Sequence, residues 1–268
     1  MKSDLFAVRS ILFLPASNPR AIAKARESAA DLVVLDLEDA VKPADKAEAR
    51  IAAVEAVSSE WPMPVAIRIN GVGTEWQSDD IEAVAGSQSD YAVLPRASSL
   101  QDVRQVADAL NKPLLAMIET AAGVLAAPEI ARAAQALIAG TNDLRTDLHL
   151  PLDATREPIS TALQLIILAA RAGEVPAFDG VFNRLSDAEG FLSECMHGRS
   201  LGFDGKSLIH PDQIAPCNEA FGPSQDEVQS ARRLVEAFSG GAERFEDRMI
   251  ERMHVEAARR VLERAGEG

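Results

Sequence analysis

The chain has 268 residues, of which 47% are hydrophobic and 25% charged, a balance typical of a globular protein with a sizeable core. Its formal net charge of −14 argues against a nucleic-acid-binding protein, although a local basic patch still allows an anionic cofactor. The sequence lacks an apolar run long enough to span a membrane, and its first residues lack the pattern of a signal peptide, so we expect a cytoplasmic protein with no membrane partner.

Short apolar segments alternate with helical patterns along the chain. Amphipathic stretches such as 44–57 and 99–110 predict helices, with Pro43 before the first and Ser98 as a cap of the second. The apolar segments have the length and composition of strands buried on both faces. They predict eight strands, at residues 11–15, 32–38, 65–70, 91–95, 114–119, 136–140, 175–180 and 205–210.

Eight strands separated by helices indicate an α/β fold, a (β/α)8 TIM barrel. An open doubly wound sheet is the alternative, but no Gly-x-Gly-x-x-Gly turn follows the first strand. We expect the barrel over 1–222 and a C-terminal helical extension over 223–268, with two helices (224–238 and 249–265) joined by a loose Gly-containing linker (239–248). Cys195 and Cys217 lack metal-ligand spacing and are predicted to be buried thiols, with a single disulfide as the alternative.

Polar residues stand at the predicted carboxyl ends of the strands, where a barrel of this kind carries its chemistry. Any one of them is explained equally well as a helix cap: Thr120 after Glu119, and Thr141 to Asp143 before the next helix. Together, however, several acids at one end of a barrel repel each other unless a cation lies among them. The set comprises Asp36, Glu38, Asp39, Arg68, Asn70, Pro95, Arg96, Glu119, Asn142, Asp143 and His210.

Glu119 and Asp143 follow adjacent predicted strands, so their carboxylates can converge. Two carboxylates with positions left for water and substrate suit Mg2+, whereas the scattered histidines make zinc less suitable. Arg68, at a nearby strand end, has the chemistry to clamp a carboxylate or to stabilise an enolate. His210, before Pro211 at the start of a predicted helix, is either a structural hydrogen-bonding residue or a ligand contact.

Seven segments, in order and at natural spacing, resemble the citrate lyase β-subunit-like proteins, which belong with the malyl-CoA lyases to the HpcH/HpaI aldolase superfamily. The resemblance implies a (β/α)8 barrel, Mg2+, acyl-CoA chemistry and a trimeric or hexameric homo-oligomer. The segments are RSILFLPASNPRAIAKA, DLVVLDLEDAV, AIRING, YAVLPRASS, MIETAAGVL, GTNDL and LGFDGKSLIHPDQI, beginning at residues 9, 31, 66, 91, 117, 140 and 201.

The resemblance also implies roles for individual residues. Glu119 and Asp143 match the metal ligands, and Arg68 matches the residue that holds the substrate carboxylate. The acid that a neighbouring subunit supplies to the active site aligns with Glu251. Positions that contact the CoA ester match Phe13, Arg20, Lys24, Ile209 and His210.

Three positions depart from the family pattern: Ala16 replaces a Gly, Asn142 stands where citrate-lyase-type members often carry Glu, and Glu251 replaces an Asp. Ala16 implies a different CoA-side loop and Glu251 a longer reach of the acid, while Asn142 and the segments at 140–148 and 178–191 favour a malyl-CoA-type relative. We therefore expect a Mg2+-dependent lyase that cleaves or forms a carbon–carbon bond in a short hydroxyacyl-CoA. A malyl-CoA thioesterase using the same site and a non-catalytic CoA-ester-binding subunit are the alternatives.

Overall fold

The computed structural model describes residues 4–267. Its eight parallel strands form a closed barrel in chain order, with β1 paired to both β2 and β8, which confirms the predicted (β/α)8 architecture. The strands are β1 Ser10–Pro15, β2 Leu32–Asp36, β3 Val65–Arg68, β4 Tyr91–Leu94, β5 Leu114–Ile118, β6 Ala136–Ala139, β7 Ala177–Asp179 and β8 Gly205–Leu208.

Helices follow the strands around the barrel, and two more helices lie near the C-terminus. Ser99 caps α4 by accepting the Asp102 N–H at 3.1 Å, so the prediction of Ser98 as this cap was wrong. The helices are α1 Pro19–Arg26, α2 Lys46–Val57, α3 Gln77–Ala85, α4 Leu100–Leu110, α5 Ala121–Ile130, α6 Thr141–Asp147, α7 Ser160–Ala172, α8 Ala188–Leu201, α9 Ile214–Phe221, α10 Gln225–Ala237 and α11 Arg252–Arg264.

The interior of the barrel is filled by alternate residues of its strands, because successive side chains of a strand point to opposite faces. This core begins near the amino ends of the strands with Leu5 and Val8 and gives way to polar side chains at the carboxyl ends. The remaining buried members are Ile11, Leu32, Val34, Ala66, Tyr91, Val93, Leu115, Met117, Ala136, Ile138 and Phe178.

Strand register sets which residues share a level at the carboxyl ends. Pro15 pairs with Asp36 across β1 and β2, and Asp36 pairs with Arg68 across β2 and β3. Asp36 and Arg68 are therefore neighbours in space although 32 positions separate them in the sequence. Cys195 and Cys217 are buried free thiols, as predicted.

The chain divides into two compact units, with the boundary between Cys217 and Asn218. In the second unit, α10 and α11 pack through a small core that includes Ala231, Leu234, Val255 and Ala258. Ser224 caps α10 in a capping box with Glu227. No helix among residues 4–267 combines the length and the apolar character needed to cross a membrane.

The second unit differs from its prediction between the two helices. The expected linker at 239–248 contains most of an antiparallel hairpin, formed by β9 Glu243–Phe245 and β10 Arg248–Ile250. The last helix begins at Arg252 rather than at 249, because Met249 belongs to β10; it buries Val255 and exposes Met253. The hairpin was missed because the linker segment is polar.

Candidate active site

A cavity of about 330 Å3 opens at the carboxyl ends of the barrel strands. Five residues with a predicted catalytic, metal-binding or substrate-binding role line it: Phe13, Arg68, Glu119, Asp143 and Ile209. Its remaining lining combines apolar side chains with acids, amides and small residues: Leu14, Pro15, Asp36, Asp39, Ala40, Met117, Ala139, Gly140, Thr141, Asn142, Val181, Asn183 and Ser207.

Arg68 is buried, and its guanidinium is held by an acid at the end of the neighbouring strand β2. Its Nε and Nη2 donate to the two carboxylate oxygens of Asp36, each at 2.6 Å. Its Nη1 lies 2.9 Å from Oε2 of Glu38, without hydrogen-bond alignment, and the guanidinium lies 5.4 Å from the centre of the Phe13 ring. Because Asp36 occupies one bidentate edge of Arg68, only the remaining N–H donors can bind a substrate.

Glu119 is the most buried acid of the cavity that a neighbouring guanidinium does not clamp, with only 2% of its surface exposed. Its Oε1 accepts the backbone N–H of Arg96 at 2.6 Å. A Cβ on Gly140 would lie 2.2 Å from its Oε2, so the turn after β6 needs a glycine to accommodate this carboxylate. Burial raises the pKa of Glu119 to about 7; the Arg96 N–H opposes this shift, and the nearby charge of Asp143 adds to it.

Asp143 lies in the first turn of α6, and its side chain is 38% exposed. Burial and then the charge of Asp39 raise its pKa, while Arg96, whose Nη1 lies 3.7 Å from its Oδ1, lowers it. Gly140, with no side-chain hydrogen bond, precedes the helix, so the suggestion that Thr141, Asn142 or Asp143 acts as its cap was wrong. Asp143 lines the cavity from this first turn.

These residues fit Mg2+. After burial, the charges of Asp143 and Asp39 raise the pKa of Glu119, and the charge of Asp39 raises the pKa of Asp143, as expected of acids that need a cation among them. Within residues 4–267, no three His, Cys, Asp or Glu side chains are grouped as a metal site. A pair of carboxylates matches an ion that keeps part of its water shell better than it matches zinc.

Four other residues with predicted roles are not among the described residues of the cavity lining. Arg20 and Lys24 are exposed on α1, one helical turn apart, and His210 accepts the Asp212 N–H at 3.2 Å as the cap of a short helical turn at Pro211–Gln213. Glu251 belongs to the second unit, where it precedes α11 and its N–H donates to His254 Nδ1 at 3.0 Å. None of the four is among the described residues that line the cavity, and their predicted roles stay predictions.

The sequence prediction assigned no individual role to several residues that line the cavity or contact its acids. Arg96 and Asp39 follow strands in the sequence, and this position was the available signal. Asn183 carried no such signal, because it lies four residues beyond the short strand β7. Its amide exchanges hydrogen bonds with Asn142, at 2.7 and 3.3 Å.

Residues 9–211 match the family model described as HpcH/HpaI aldolase/citrate lyase. The chain belongs to this family. It is 41% identical over 268 residues to a (3S)-malyl-CoA thioesterase of Cereibacter sphaeroides, and the match covers 96% of this chain and 94% of that protein. It is 33% identical over 284 residues to the citrate lyase subunit beta of Escherichia coli, which covers 96% and 93% of the two chains.

Among solved structures, this HpcH/HpaI family member resembles the protein CitE from Mycobacterium tuberculosis in complex with magnesium, acetoacetate and coenzyme A. The TM-score is 0.87 and the identity 36%, with 98% of this chain and 100% of that chain covered. A second structure, the citrate lyase beta subunit of the same organism with oxaloacetate and magnesium, gives a TM-score of 0.75 at 35% identity, with 82% and 100% covered. The family is enzymatic, and structures of its members contain magnesium.

Proposed function

We propose that this protein is a Mg2+-dependent lyase that cleaves or forms the carbon–carbon bond of a short hydroxyacyl-CoA ester of the malyl-CoA or citryl-CoA type. One observation carries the proposal: Glu119, Asp143 and Arg68, drawn from different strand ends, line a single cavity. The similarity to a protein that binds magnesium and coenzyme A supports this choice of cofactor and substrate class.

Glu119 and Asp143 would hold Mg2+ in this cavity. When bound, the ion supplies Lewis acidity toward substrate oxygens and offsets the charge of the two carboxylates. Arg68 presents its remaining N–H donors to the substrate, and its pairing with Asp36 fixes the guanidinium before substrate arrives. A fixed cation in a site shielded from water stabilises a developing enolate without reorganisation.

Apolar residues shield the reacting carbon from water. Phe13 and Met117 line the cavity from inside the barrel, and Ile209 lines it beyond β8. Carbon–carbon cleavage generates an enolate whose protonation must be controlled, so this lining suits a lyase. For proton transfer we propose Glu251 of a neighbouring subunit in a homo-oligomer, and for binding of the CoA phosphates we propose the exposed pair Arg20 and Lys24.

A thioesterase is the second candidate, because the curated relative with 41% identity is a (3S)-malyl-CoA thioesterase. In a thioesterase, the same residues would orient a malyl-CoA ester while water attacks the thioester carbon. In a lyase, a base removes the proton of the substrate hydroxyl. A non-catalytic CoA-ester-binding subunit is the third candidate, and the retention of Glu119, Asp143 and Arg68 in one cavity argues against it.

Product analysis after incubation with malyl-CoA and Mg2+ tests the proposal. A lyase releases acetyl-CoA and glyoxylate in equal amounts, whereas a thioesterase releases malate and free CoA. Both activities should disappear in excess chelator and in Glu119→Ala or Asp143→Ala protein that remains folded. Absence of turnover with both malyl-CoA and citryl-CoA, or full activity in the presence of chelator, would contradict the proposed chemistry.

A further inference from the structure

Arg96, two residues after the end of β4, has a backbone conformation that few non-glycine residues adopt, with φ at 50°. The surrounding contacts hold it there. The Ala97 N–H donates to the Met117 carbonyl at 3.0 Å, and Gly123 lies so close that a Cβ on it would be 2.5 Å from the Ala97 oxygen. Strained backbone that is held in this way is typical of functional sites. Here it directs the Arg96 N–H at Glu119 Oε1, 2.6 Å away.

The side chain of Arg96 makes much weaker contacts with its neighbours than the side chains of the other cations near the cavity do. Its Nη1 lies 3.7 Å from Asp143 Oδ1, beyond hydrogen-bond distance, and the side chain is 51% exposed. Arg68, by contrast, is bound to Asp36 through two bonds of 2.6 Å. Lys46 donates to three oxygens, each within 2.8 Å. A half-exposed ion pair of this length contributes little stability and is easily exchanged.

A second cavity gives the Arg96 guanidinium a place to move. It has a volume of about 470 Å3 and is lined by Arg96 together with Asp39 and Asp102. Asp39 also lines the first cavity, so the two spaces adjoin there. A guanidinium that leaves Asp143 therefore stays within reach of other carboxylates.

We propose that Arg96 is a positioning residue of the metal site, whose backbone N–H orients Glu119 and whose guanidinium neutralises Asp143 until a divalent cation displaces it. This inference rests on the proposed Mg2+ site of Glu119 and Asp143. It has an unusual consequence: the guanidinium opposes metal binding, since two cations compete for one carboxylate. Removing its charge should tighten Mg2+ binding, whereas a merely structural role would weaken binding when Arg96 is changed.

Calorimetric titration of metal-free protein with Mg2+ tests the inference without relying on turnover. The informative variants are Arg96→Asn and Arg96→Gly, because Asn and Gly both accept a positive φ and both lack the charge. We expect each to bind Mg2+ on the order of tenfold more tightly than the unmodified protein. Arg96→Lys should bind nearly as the unmodified protein does, since it restores the charge.

Arg104→Gln is the matched control, because it removes a positive charge from an exposed position of α4 and should change the affinity by less than about twofold. If Arg96→Asn and Arg96→Gly both bind Mg2+ no more tightly than the unmodified protein, while Glu119→Ala abolishes binding, the role of Arg96 is overturned and the metal site is not. If the unmodified protein fails to bind Mg2+, or if Glu119→Ala binds it normally, both the metal site and the role of Arg96 are overturned.

Discussion

At Glu119, the fold places a carboxyl group where its charged form is disfavoured. The side chain is almost fully buried, and Asp143 adds a second negative charge nearby. A single backbone N–H, from Arg96, partly compensates. Such a residue is kept for what binds to it, since an apolar or neutral residue would be more stable in the same position.

The stability of the metal-free protein should therefore depend on Glu119 in a particular direction. Its folded-state pKa of about 7 lies above the ordinary value of 4.5, so the folded protein binds more protons than the unfolded chain between these values. The free energy of unfolding consequently falls as the pH rises from 4.5 to 7, and the full cost remains above 7. Glu119→Gln should remove this cost and stabilise the metal-free protein at pH 8 by on the order of 3 kcal/mol.

Denaturant unfolding in chelator measures this effect. At pH 5 most of the difference between Glu119→Gln and the unmodified protein should have disappeared, because the carboxyl group is then largely protonated. Saturating Mg2+ at pH 8 should stabilise the unmodified protein and leave the variant unchanged. A variant that is less stable than the unmodified protein at pH 8 in chelator would contradict the account of Glu119.

A substitution of Arg68 tests the role of the positive charge in the cavity. Arg68→Lys replaces a planar fork with a point charge and loses the paired bonds to Asp36. We expect transition-state stabilisation, measured from kcat/KM for malyl-CoA, to fall by about 1.5–3 kcal/mol, the range for a lost charged hydrogen bond.

The chain offers a close control for this substitution. Arg50 is similarly buried, and its Nε lies 2.7 Å from Asp80 Oδ1, but it does not line the cavity. Arg50→Lys should lower stability and leave kcat/KM within about twofold, the ordinary behaviour of a site away from the chemistry. Equal kinetic losses in the two variants would remove Arg68 from a specific role in turnover.

At the scale of elements, the barrel follows closely from the sequence. Strands buried on both faces are continuous apolar runs, and each of the eight predicted runs contains or overlaps a strand of the structure. What the sequence did not reveal depends on register and packing. The pairing of Asp36 with Arg68 requires the alignment of β2 with β3, and Lys206 gave no sign that it is fully buried, 3.2 Å from Asp179 and 2.7 Å from Glu194.

The hairpin of the second unit was not predicted, and the reason is different. Its two strands have only three residues each, too few for an alternating apolar signal to stand out. Their antiparallel pairing is a contact between segments, which composition alone does not report. The candidate site was predictable as a set of strand-end residues, but the role of Arg96 needed its backbone angle and its contact with Glu119.

The turn after β6 makes a prediction about an element. Gly140→Ala places a Cβ within 2.2 Å of Glu119 Oε2 and must displace that carboxylate. We expect loss of Mg2+ binding and of turnover, with the far-UV circular dichroism of the barrel retained. Gly86→Ala is the control, because its added Cβ would meet no atom closer than 3.8 Å and its φ of −82° suits alanine. Normal Mg2+ affinity in Gly140→Ala would show that the Glu119 carboxylate is not held as described.

At the scale of the whole molecule, the second unit carries the acid predicted to complete a neighbour's site. Glu251 is exposed before α11, and Met249 and Met253 are exposed near it, with 62% and 61% of their surfaces accessible. If this surface completes a neighbouring barrel, a mixture of Glu251→Gln and Glu119→Ala proteins should regain activity after subunit exchange, because some interfaces then contain only intact residues.

The same experiment contains its own control. Glu119 and Asp143 line one cavity of one barrel, so mixing Glu119→Ala with Asp143→Ala should restore nothing. Continued inactivity of the first mixture despite proven exchange would show that Glu251 does not act across an interface. Recovery in both mixtures would show that the activity does not arise from a shared site of this kind.

The most direct measurement is a crystal structure of the protein soaked with Mn2+, a scatterer that can replace Mg2+, together with an acyl-CoA ester. We expect one anomalous peak in the cavity, within coordination distance of carboxylate oxygens of both Glu119 and Asp143, with the Arg96 guanidinium moved away from Asp143. The acyl group should lie between this ion and Arg68. An ion bound elsewhere, or an acyl-CoA ester bound with no metal near Glu119 and Asp143, would show that these two carboxylates are not the metal site.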